Sequence, residues 1–122
     1  MTELGLEGAW ERAKLLKDWR SWADRIAVSA REVLAGSLKG VYVFGSVVRG
    51  EAVAASDVDL LVVAEALPDN QRGRSELKYE ILRGAGLPDV NPFQIHLVDE
   101  REAEAYLRHT GRSILRIDGS ED

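Results

Sequence analysis

The chain has 122 residues, of which 45% are hydrophobic and 30% charged, and it contains no cysteine. This composition is typical of one globular domain, and the missing thiols exclude zinc–thiolate sites, iron–sulfur clusters and cysteine nucleophiles. A net charge of −5 argues against a protein that binds nucleic acid by neutralising many phosphates. Residues 1–7 lack the features of a signal peptide, and no run of about 18 apolar residues occurs, which predicts a cytoplasmic protein without a membrane partner.

The first third of the chain has the pattern of an amphipathic helix. Apolar residues recur at helical spacing over residues 8–34, which predicts one long N-terminal helix, or two helices with a break near residues 18–21. Gly36 and Gly40 are expected to form the helix end and the following turn. The segment contains all three tryptophans, Trp10, Trp19 and Trp22. We expect their side chains to pack onto a sheet or onto a partner.

Short apolar runs farther along the chain predict a sheet. The runs at 41–44, 58–63 and 93–98 have the composition of strands, and 113–118 is expected to add a short edge strand. Two helices are predicted, one between the second and third runs and one between the third and fourth. Residues 67–73 have loop composition, after which Ser75 is expected to cap a helix that runs to the glycines at 84 and 86, and a second helix is expected over Glu100–His109.

This order of elements predicts an α/β fold, in which a small mixed β-sheet is flanked by helices. We expect a single domain over residues 1–122, with an N-terminal helical segment at 1–35 and a sheet core at 41–118. The last residues, from 120 onward, are expected to form a disordered tail.

A glycine and a serine follow directly after the first predicted strand. Gly45 lets the backbone turn and lets its amides approach an anion closely, and a helix that begins there directs its N-terminus at the same point. Ser46 supplies a hydroxyl, and the guanidinium of Arg49 lies one helical turn farther on. The functional interpretation is a phosphate-binding turn, although a lone Gly-Ser pair is more often a plain strand-to-helix turn.

Two carboxylates come at the start of the second predicted strand. Asp57 and Asp59 are separated by one residue, so both side chains point to one face, with Cα atoms about 6.6 Å apart. Such a pair repels itself unless a cation lies between the carboxylates. Oxygen ligands at this spacing suit Mg²⁺, which completes its coordination with waters and substrate phosphates. Ser56, directly before them, can cap the turn or orient a carboxylate.

These residues together resemble the signature of the DNA polymerase beta-type nucleotidyltransferase superfamily, and most closely its minimal, antitoxin-like nucleotidyltransferases. The signature is Gly-Ser, then Arg-Gly, then Ser-Asp-x-Asp-Leu, and the chain supplies it as Gly45, Ser46, Arg49, Gly50, Ser56, Asp57, Asp59 and Leu60. The resemblance implies a polymerase beta-like fold. It also implies transfer of a nucleoside monophosphate from ATP, or another nucleoside triphosphate, to a hydroxyl acceptor.

The resemblance also implies roles for individual residues. Asp57 and Asp59 would bind one or two Mg²⁺ ions, or Mn²⁺, at the α-phosphate. Gly45 and Ser46 would bind the β- and γ-phosphates, with Arg49 and Ser56 as further nucleotide-binding residues.

The chain departs from the family pattern at the third catalytic carboxylate, which the next core strand generally supplies. If Phe93, Ile95 and Leu97 face the core, then Gln94 and His96 face the cleft, and neither is a carboxylate. Two interpretations remain open. In the first, the missing group is replaced by His96, acting as a general base, or by a loop carboxylate such as Asp89. In the second, the site for a second cation is degraded, and turnover is slow or absent.

Two classes of function therefore compete. The first is a Mg²⁺-dependent nucleotidyltransferase whose acceptor is a small helical partner protein, because minimal family members act as antitoxins that adenylylate such a partner. The second is a catalytically weak or inactive antitoxin-type module, which binds nucleotide or a partner, or a second copy of itself through the N-terminal helix. Transfer to tRNA or to an aminoglycoside has only the implied fold behind it, and the acidic charge disfavours nucleic acid.

Overall fold

The computed structural model describes residues 2–110 and 113–118, so the predicted tail lies outside the described residues. The elements, in chain order, are α1 (Thr2–Lys17), α2 (Trp19–Leu34), β1 (Leu38–Phe44), α3 (Ser46–Arg49), β2 (Val58–Ala64), α4 (Gln71–Gly84), β3 (Phe93–Val98), α5 (Glu100–Thr110) and β4 (Ile114–Arg116). A short 3₁₀ turn, Ala35–Ser37, connects α2 to β1. The structure has the predicted α/β class.

The four strands form one mixed sheet in the order β3-β2-β1-β4. β1 is antiparallel to both β2 and β4, and β2 is parallel to β3. β4 lies at an edge, as predicted. The central strand β2 is buried along almost its whole length, which explains its nearly continuous apolar sequence.

Helices cover both faces of this sheet. Successive residues of a strand point to opposite faces, so each strand contributes side chains to both helical layers. On one face, Leu60, Val62 and Ile95 pack with buried residues of α1, α2 and α4. On the other face, Leu61 and Val63 pack with α5. Since Asp59 alternates with Leu60, its side chain lies on the α5 side of the sheet, at the end where β2 begins.

The N-terminal segment is two helices, and the break falls at Asp18. Trp19 and Trp22 pack against the core that the sheet forms with α2 and α4, as expected. Trp10 does not pack in this way, since its side chain is 65% exposed. For Trp10, the alternative expectation of packing onto a partner stays a prediction.

The glycines after α2 do not have the predicted roles. Ala35 (φ 50°), and not Gly36, takes the left-handed conformation that ends the helix. Gly40 lies inside β1 and not in a turn, because the strand begins at Leu38. A Cβ atom at Gly40 would lie 3.0 Å from the Tyr42 ring, so glycine leaves room for this ring to lie close to the strand.

The start of α4 also differs from the prediction. The Asn70 side chain accepts a hydrogen bond from the Gly73 amide at 2.6 Å and caps the helix. Ser75 therefore lies inside α4, and part of the predicted loop is helical. The bounds of β3 are those predicted, and α5 begins at Glu100 as expected. Among the described residues, no helix is both long enough and apolar enough to cross a membrane.

Candidate active site

The candidate site lies where β1 ends and β2 begins, because the antiparallel register places Phe44 opposite Asp59. Gly45 follows Phe44 with φ 94° and ψ −159°, a conformation that is essentially restricted to glycine. A Cβ atom at Gly45 would lie 3.2 Å from Asp59 Oδ2. Glycine is therefore needed here twice, for the backbone turn and for the close approach of that backbone to a carboxylate.

The short helix α3 begins at Ser46, directly after this turn. The Val48 and Arg49 amides donate to the Gly45 carbonyl. The two preceding amides, those of Ser46 and Val47, have no acceptor within the helix. Together with the Ser46 hydroxyl, these donors can bind phosphate oxygens, as the sequence predicts for Gly45 and Ser46.

Asp57 and Asp59 are both accessible from solvent, with side chains 49% and 30% exposed. The described residues include no cluster of three or more acidic, histidine or cysteine side chains that could bind a metal. Two carboxylates are nevertheless sufficient for Mg²⁺, which keeps several waters and takes further ligands from substrate phosphates. The donor set of the site therefore fits the cation that the sequence implies.

His96 lies beside Asp59, on the same face of the sheet. Its Nε2 atom is 3.2 Å from Asp59 Oδ1, although Gln94 is the residue paired with Asp59 in the register. Phe93, Ile95 and Leu97 are buried on the opposite face, which is the alternation expected from the sequence. Because an ionised carboxylate only accepts hydrogen bonds, Nε2 carries the hydrogen and donates it to Asp59.

The other nitrogen of His96 faces α5. The Tyr106 hydroxyl lies 3.4 Å from His96 Nδ1, and the Phe44 ring is 5.5 Å from the His96 ring, measured between centroids. In a neutral His96, Nδ1 accepts and the Tyr106 hydroxyl donates. Asp59, His96 and Tyr106 therefore form one hydrogen-bonded chain from the centre of the site to α5.

The positively charged side chain of Arg12, in α1, binds the other carboxylate, Asp57. The Arg12 guanidinium lies 2.7 Å from Asp57 Oδ1 and also donates to the backbone carbonyls of Ala54 and Ser56, at 2.9 and 2.8 Å. Each of the two carboxylates thus has one hydrogen-bond donor from a different part of the fold. These donors offset the repulsion between the two negative charges.

Arg49 and Ser56 make local contacts. The Arg49 side chain forms an ion pair with Glu51 at 2.8 Å, and the Ser56 hydroxyl accepts a hydrogen bond from the Val53 amide at 2.8 Å. Ser56 therefore caps the turn before β2, which is one of the two roles predicted for it. Asp89, the alternative third carboxylate, lines a separate cavity of about 70 Å³ beside α4.

Two larger cavities flank the chain of hydrogen bonds. One, of about 290 Å³, is lined by Gly45, Arg49 and residues of α5. The other, of about 520 Å³, lies between α4 and α5 and is lined by His96, Arg74 and Lys78. Tyr106 lines both, so the site can be approached from two sides.

Sequence reasoning missed two residues of this site, Arg12 and Tyr106. Both are far in sequence from the motif at 45–60 and reach it only through packing of their helices. A weak signal for Arg12 existed, because it shares a helical face with the buried Leu15 and Leu16. Tyr106 shares a face of α5 with the buried Ala103, and this spacing indicates packing and not a role in a site.

Comparisons with known proteins agree with this fold. A structure of a toxin–antitoxin pair with AMP-PNP has a TM-score of 0.54 and 23% identity, covering 80% of this chain and 74% of that one. A structure of a tri-AMPylated HEPN toxin with its MNT antitoxin, from Shewanella oneidensis, has a TM-score of 0.52 and 22% identity, covering 83% and 72%. At these identities the likeness shows the fold. No curated protein matches the chain in sequence.

The family model of the nucleotidyltransferase domain matches residues 27–105. This range is more than half of the chain and includes every predicted site residue from Gly45 to His96. The chain therefore belongs to the nucleotidyltransferase domain family.

Proposed function

We propose that the protein is a Mg²⁺-dependent enzyme that transfers AMP from ATP to a hydroxyl group of a partner protein. The observation that carries the proposal is the contact between the Gly45 backbone and Asp59. A Cβ atom at Gly45 would lie only 3.2 Å from Asp59 Oδ2, so amides suited to phosphate lie directly beside a carboxylate suited to a cation.

In this proposal, the Ser46 and Val47 amides and the Ser46 hydroxyl bind the β- and γ-phosphates. Asp57 and Asp59 would hold the cation, which when bound neutralises charge that develops on the phosphates. Arg49 lines the cavity next to Gly45 and would bind nucleotide from there. The oxygen of the acceptor hydroxyl forms a bond to the α-phosphorus and its proton passes to solvent water. The bond between the α-phosphorus and the oxygen that bridges it to the β-phosphorus breaks, and pyrophosphate leaves with that oxygen.

His96 is the residue whose role is least defined by the family pattern. Its Nε2 atom donates to Asp59, which supports a role in orienting that carboxylate. A general-base role would require a lone pair directed at the acceptor, and in a neutral ring the lone pair is on Nδ1, next to Tyr106. We therefore propose that His96 acts mainly by orienting Asp59.

The choice of a protein acceptor rests on the structural neighbours. One is a toxin–antitoxin pair with AMP-PNP, and another contains an AMPylated toxin bound to its antitoxin. By analogy, a small helical partner is the preferred acceptor here.

Self-association through α1 is a further part of the proposal, because Trp10 is 65% exposed. Light scattering of a Trp10→Ser variant tests it.

The test is transfer of label from ATP labelled at the α-phosphate to protein, with the chain co-purified with any partner that it binds. The proposal predicts labelled protein that depends on Mg²⁺ and is lost in the Asp57→Asn, Asp59→Asn double variant. Label that is equal in the double variant would contradict it. The Glu104→Gln variant, altered on the exposed side of α5, serves as the matched control.

A second candidate function is a module that binds nucleotide and a partner without transfer. It is favoured by the position of His96, because a histidine that donates to Asp59 occupies the place where the family pattern has a third carboxylate. This alternative predicts Mg²⁺-dependent binding of ATP with no labelled product. The labelling experiment therefore separates the two candidates.

A further inference from the structure

Two side chains outside the range of the family model reach the candidate site, Tyr106 from α5 and Arg12 from the N-terminal helix. The matched range begins at residue 27, whereas Arg12 lies in α1. The Arg12 guanidinium binds three oxygens at once, the Ala54 and Ser56 carbonyls and Asp57 Oδ1, all within 2.9 Å. It thus joins the N-terminal helix to both the loop that precedes β2 and a carboxylate expected to bind the cation.

We propose that Arg12 is a positioning residue, which fixes residues 54–57 and orients the Asp57 carboxylate toward the divalent cation. This inference rests on the proposed function, since it assigns the cation to Asp57 and Asp59. Groups that hydrogen-bond a metal ligand set its orientation, and their mutation typically lowers metal affinity or activity by about 10- to 100-fold.

The geometry favours positioning over competition with the cation. Two of the three hydrogen bonds go to backbone carbonyls, so they do not depend on whether a cation is bound. The third uses only Oδ1, and 49% of the Asp57 side chain remains exposed. Asp57 can therefore keep its bond to Arg12 and offer its second oxygen to a cation.

Arg12 is also well anchored. Its side chain is only 22% exposed, and Leu15 and Leu16, one turn farther along the same helix, are buried in the main core. The planar fork of a guanidinium matches several acceptors at fixed angles, whereas a lysine ammonium is a flexible point charge. The arrangement therefore depends on an arginine and not only on a positive charge.

The experiment measures binding of Mn²⁺ together with AMP-PNP, an ATP analogue with an imido bridge between its β- and γ-phosphates, by calorimetry and by electron paramagnetic resonance of the free ion. No acceptor protein is present, so that AMP is not transferred during the measurement. The variants are Arg12→Gln, which removes the charge and the fork, and Arg12→Lys, which keeps the charge alone. Arg20→Gln is the matched control, because Arg20 is an exposed arginine paired with Asp24 on α2. Thermal unfolding of each variant checks that it is folded.

We expect Arg12→Gln to weaken binding of the Mn²⁺ complex by about 10- to 100-fold, with little change for Arg20→Gln. Binding of AMP-PNP in the presence of a chelator should be equal in all variants, because the phosphate-binding amides are not altered. Arg12→Lys should recover only a small part of the loss. Even if Arg12→Gln does not fold, the Arg12→Lys variant still tests the proposal.

Three results would overturn the inference. Unchanged or tighter Mn²⁺ binding in Arg12→Gln would mean that the guanidinium does not orient Asp57 or that it competes with the cation. Full binding by Arg12→Lys would mean that charge alone is sufficient. Absence of Mn²⁺-dependent binding in the unaltered protein would overturn the proposed function as well, whereas the first two results leave that function intact.

Discussion

Gly45 is the residue on which the site depends most directly. Its backbone conformation is restricted to glycine, and any side chain there would contact Asp59. These two constraints have the same origin, because the turn that directs the α3 amides toward a phosphate is also the turn that brings the chain next to the carboxylate.

A Gly45→Ala substitution should therefore damage both stability and function. We expect a loss of about 1–3 kcal/mol in the free energy of unfolding, the usual cost of such a backbone conformation in a non-glycine residue, and a loss of Mg²⁺-dependent ATP binding. Urea unfolding and calorimetry measure the two effects. Gly36→Ala is the control, since nothing lies within 4 Å of a Cβ atom there, and an equal effect of both substitutions would contradict this account.

The two roles considered for His96 predict different mutant behaviour. A glutamine at this position can still donate to Asp59 through its own Nε2 atom but cannot take a proton, whereas alanine can do neither. If His96 orients Asp59, His96→Gln should keep transfer activity within about tenfold while His96→Ala loses about 10- to 100-fold. A general-base role would instead lower the rate in both variants by about 10²- to 10⁴-fold.

At the scale of elements, the contact between α2 and α4 determines how closely these two helices pack together on one face of the sheet. Ser29 is buried and donates to the Ile81 carbonyl at 2.7 Å. Opposite it, a Cβ atom on Gly84 would lie 2.4 Å from Ser29 Oγ and 3.5 Å from Ser29 Cβ. The two helices can approach this closely only because Gly84 has no side chain.

Gly84→Ala should destabilise the protein by about 1–3 kcal/mol, the usual cost of overpacking. In the Ser29→Ala background the added methyl group should cost much less, since the clashing oxygen is gone. A double-mutant cycle by urea unfolding measures this coupling. Additive effects of the two substitutions would mean that the cost of Gly84→Ala does not come from a clash with Ser29 Oγ.

The edge strand β4 is tied to the rest of the fold by Asp118. Burial alone would raise the pKa of this carboxyl group, but hydrogen bonds from Arg116 and from the backbone of Val41 outweigh it, so the pKa is lowered. A carboxyl group with a lowered pKa stabilises the fold above its ordinary value of 3.8, and that stability is lost as the pH falls through the folded-state pKa.

Asp118→Asn should therefore destabilise the protein at pH 7 and change it less at pH 3, because pH 3 lies below the ordinary value of 3.8 and part of the stability from the lowered pKa is lost there. Denaturant midpoints of both proteins across this range give the comparison. A destabilisation that is equal at both pH values would mean that the Arg116 ion pair contributes nothing.

The elements that the sequence predicted are those with strong local patterns. The bounds of β3 follow from its alternation between turn residues, and the helical period identified the N-terminal helices. The start of α4 was missed because Asn70 caps the helix five residues before Ser75, in a segment that has loop composition. Gly40 was misassigned because β1 begins at Leu38 and pairs with β2 through an irregular register between Leu38 and Gly40, which the sequence does not indicate.

At the scale of the whole molecule, the predictable part of the site is the contiguous motif from Gly45 to Leu60. The resemblance of the motif to a family signature implied that its two ends form one site, and the antiparallel pairing of β1 with β2 brings these ends together. Arg12 and Tyr106 come from helices on opposite faces of the sheet, and no local pattern could indicate that they meet the motif. The motif thus identifies the chemistry, and the helices provide the environment of each carboxylate.

Calorimetry of Mg·ATP binding, with Asp59→Asn as the control, tests the central claim most directly. The account predicts binding by the unaltered protein that disappears when Mg²⁺ is chelated and is strongly reduced in Asp59→Asn. No binding at millimolar nucleotide, or binding that is indifferent to both Mg²⁺ and Asp59, would contradict it.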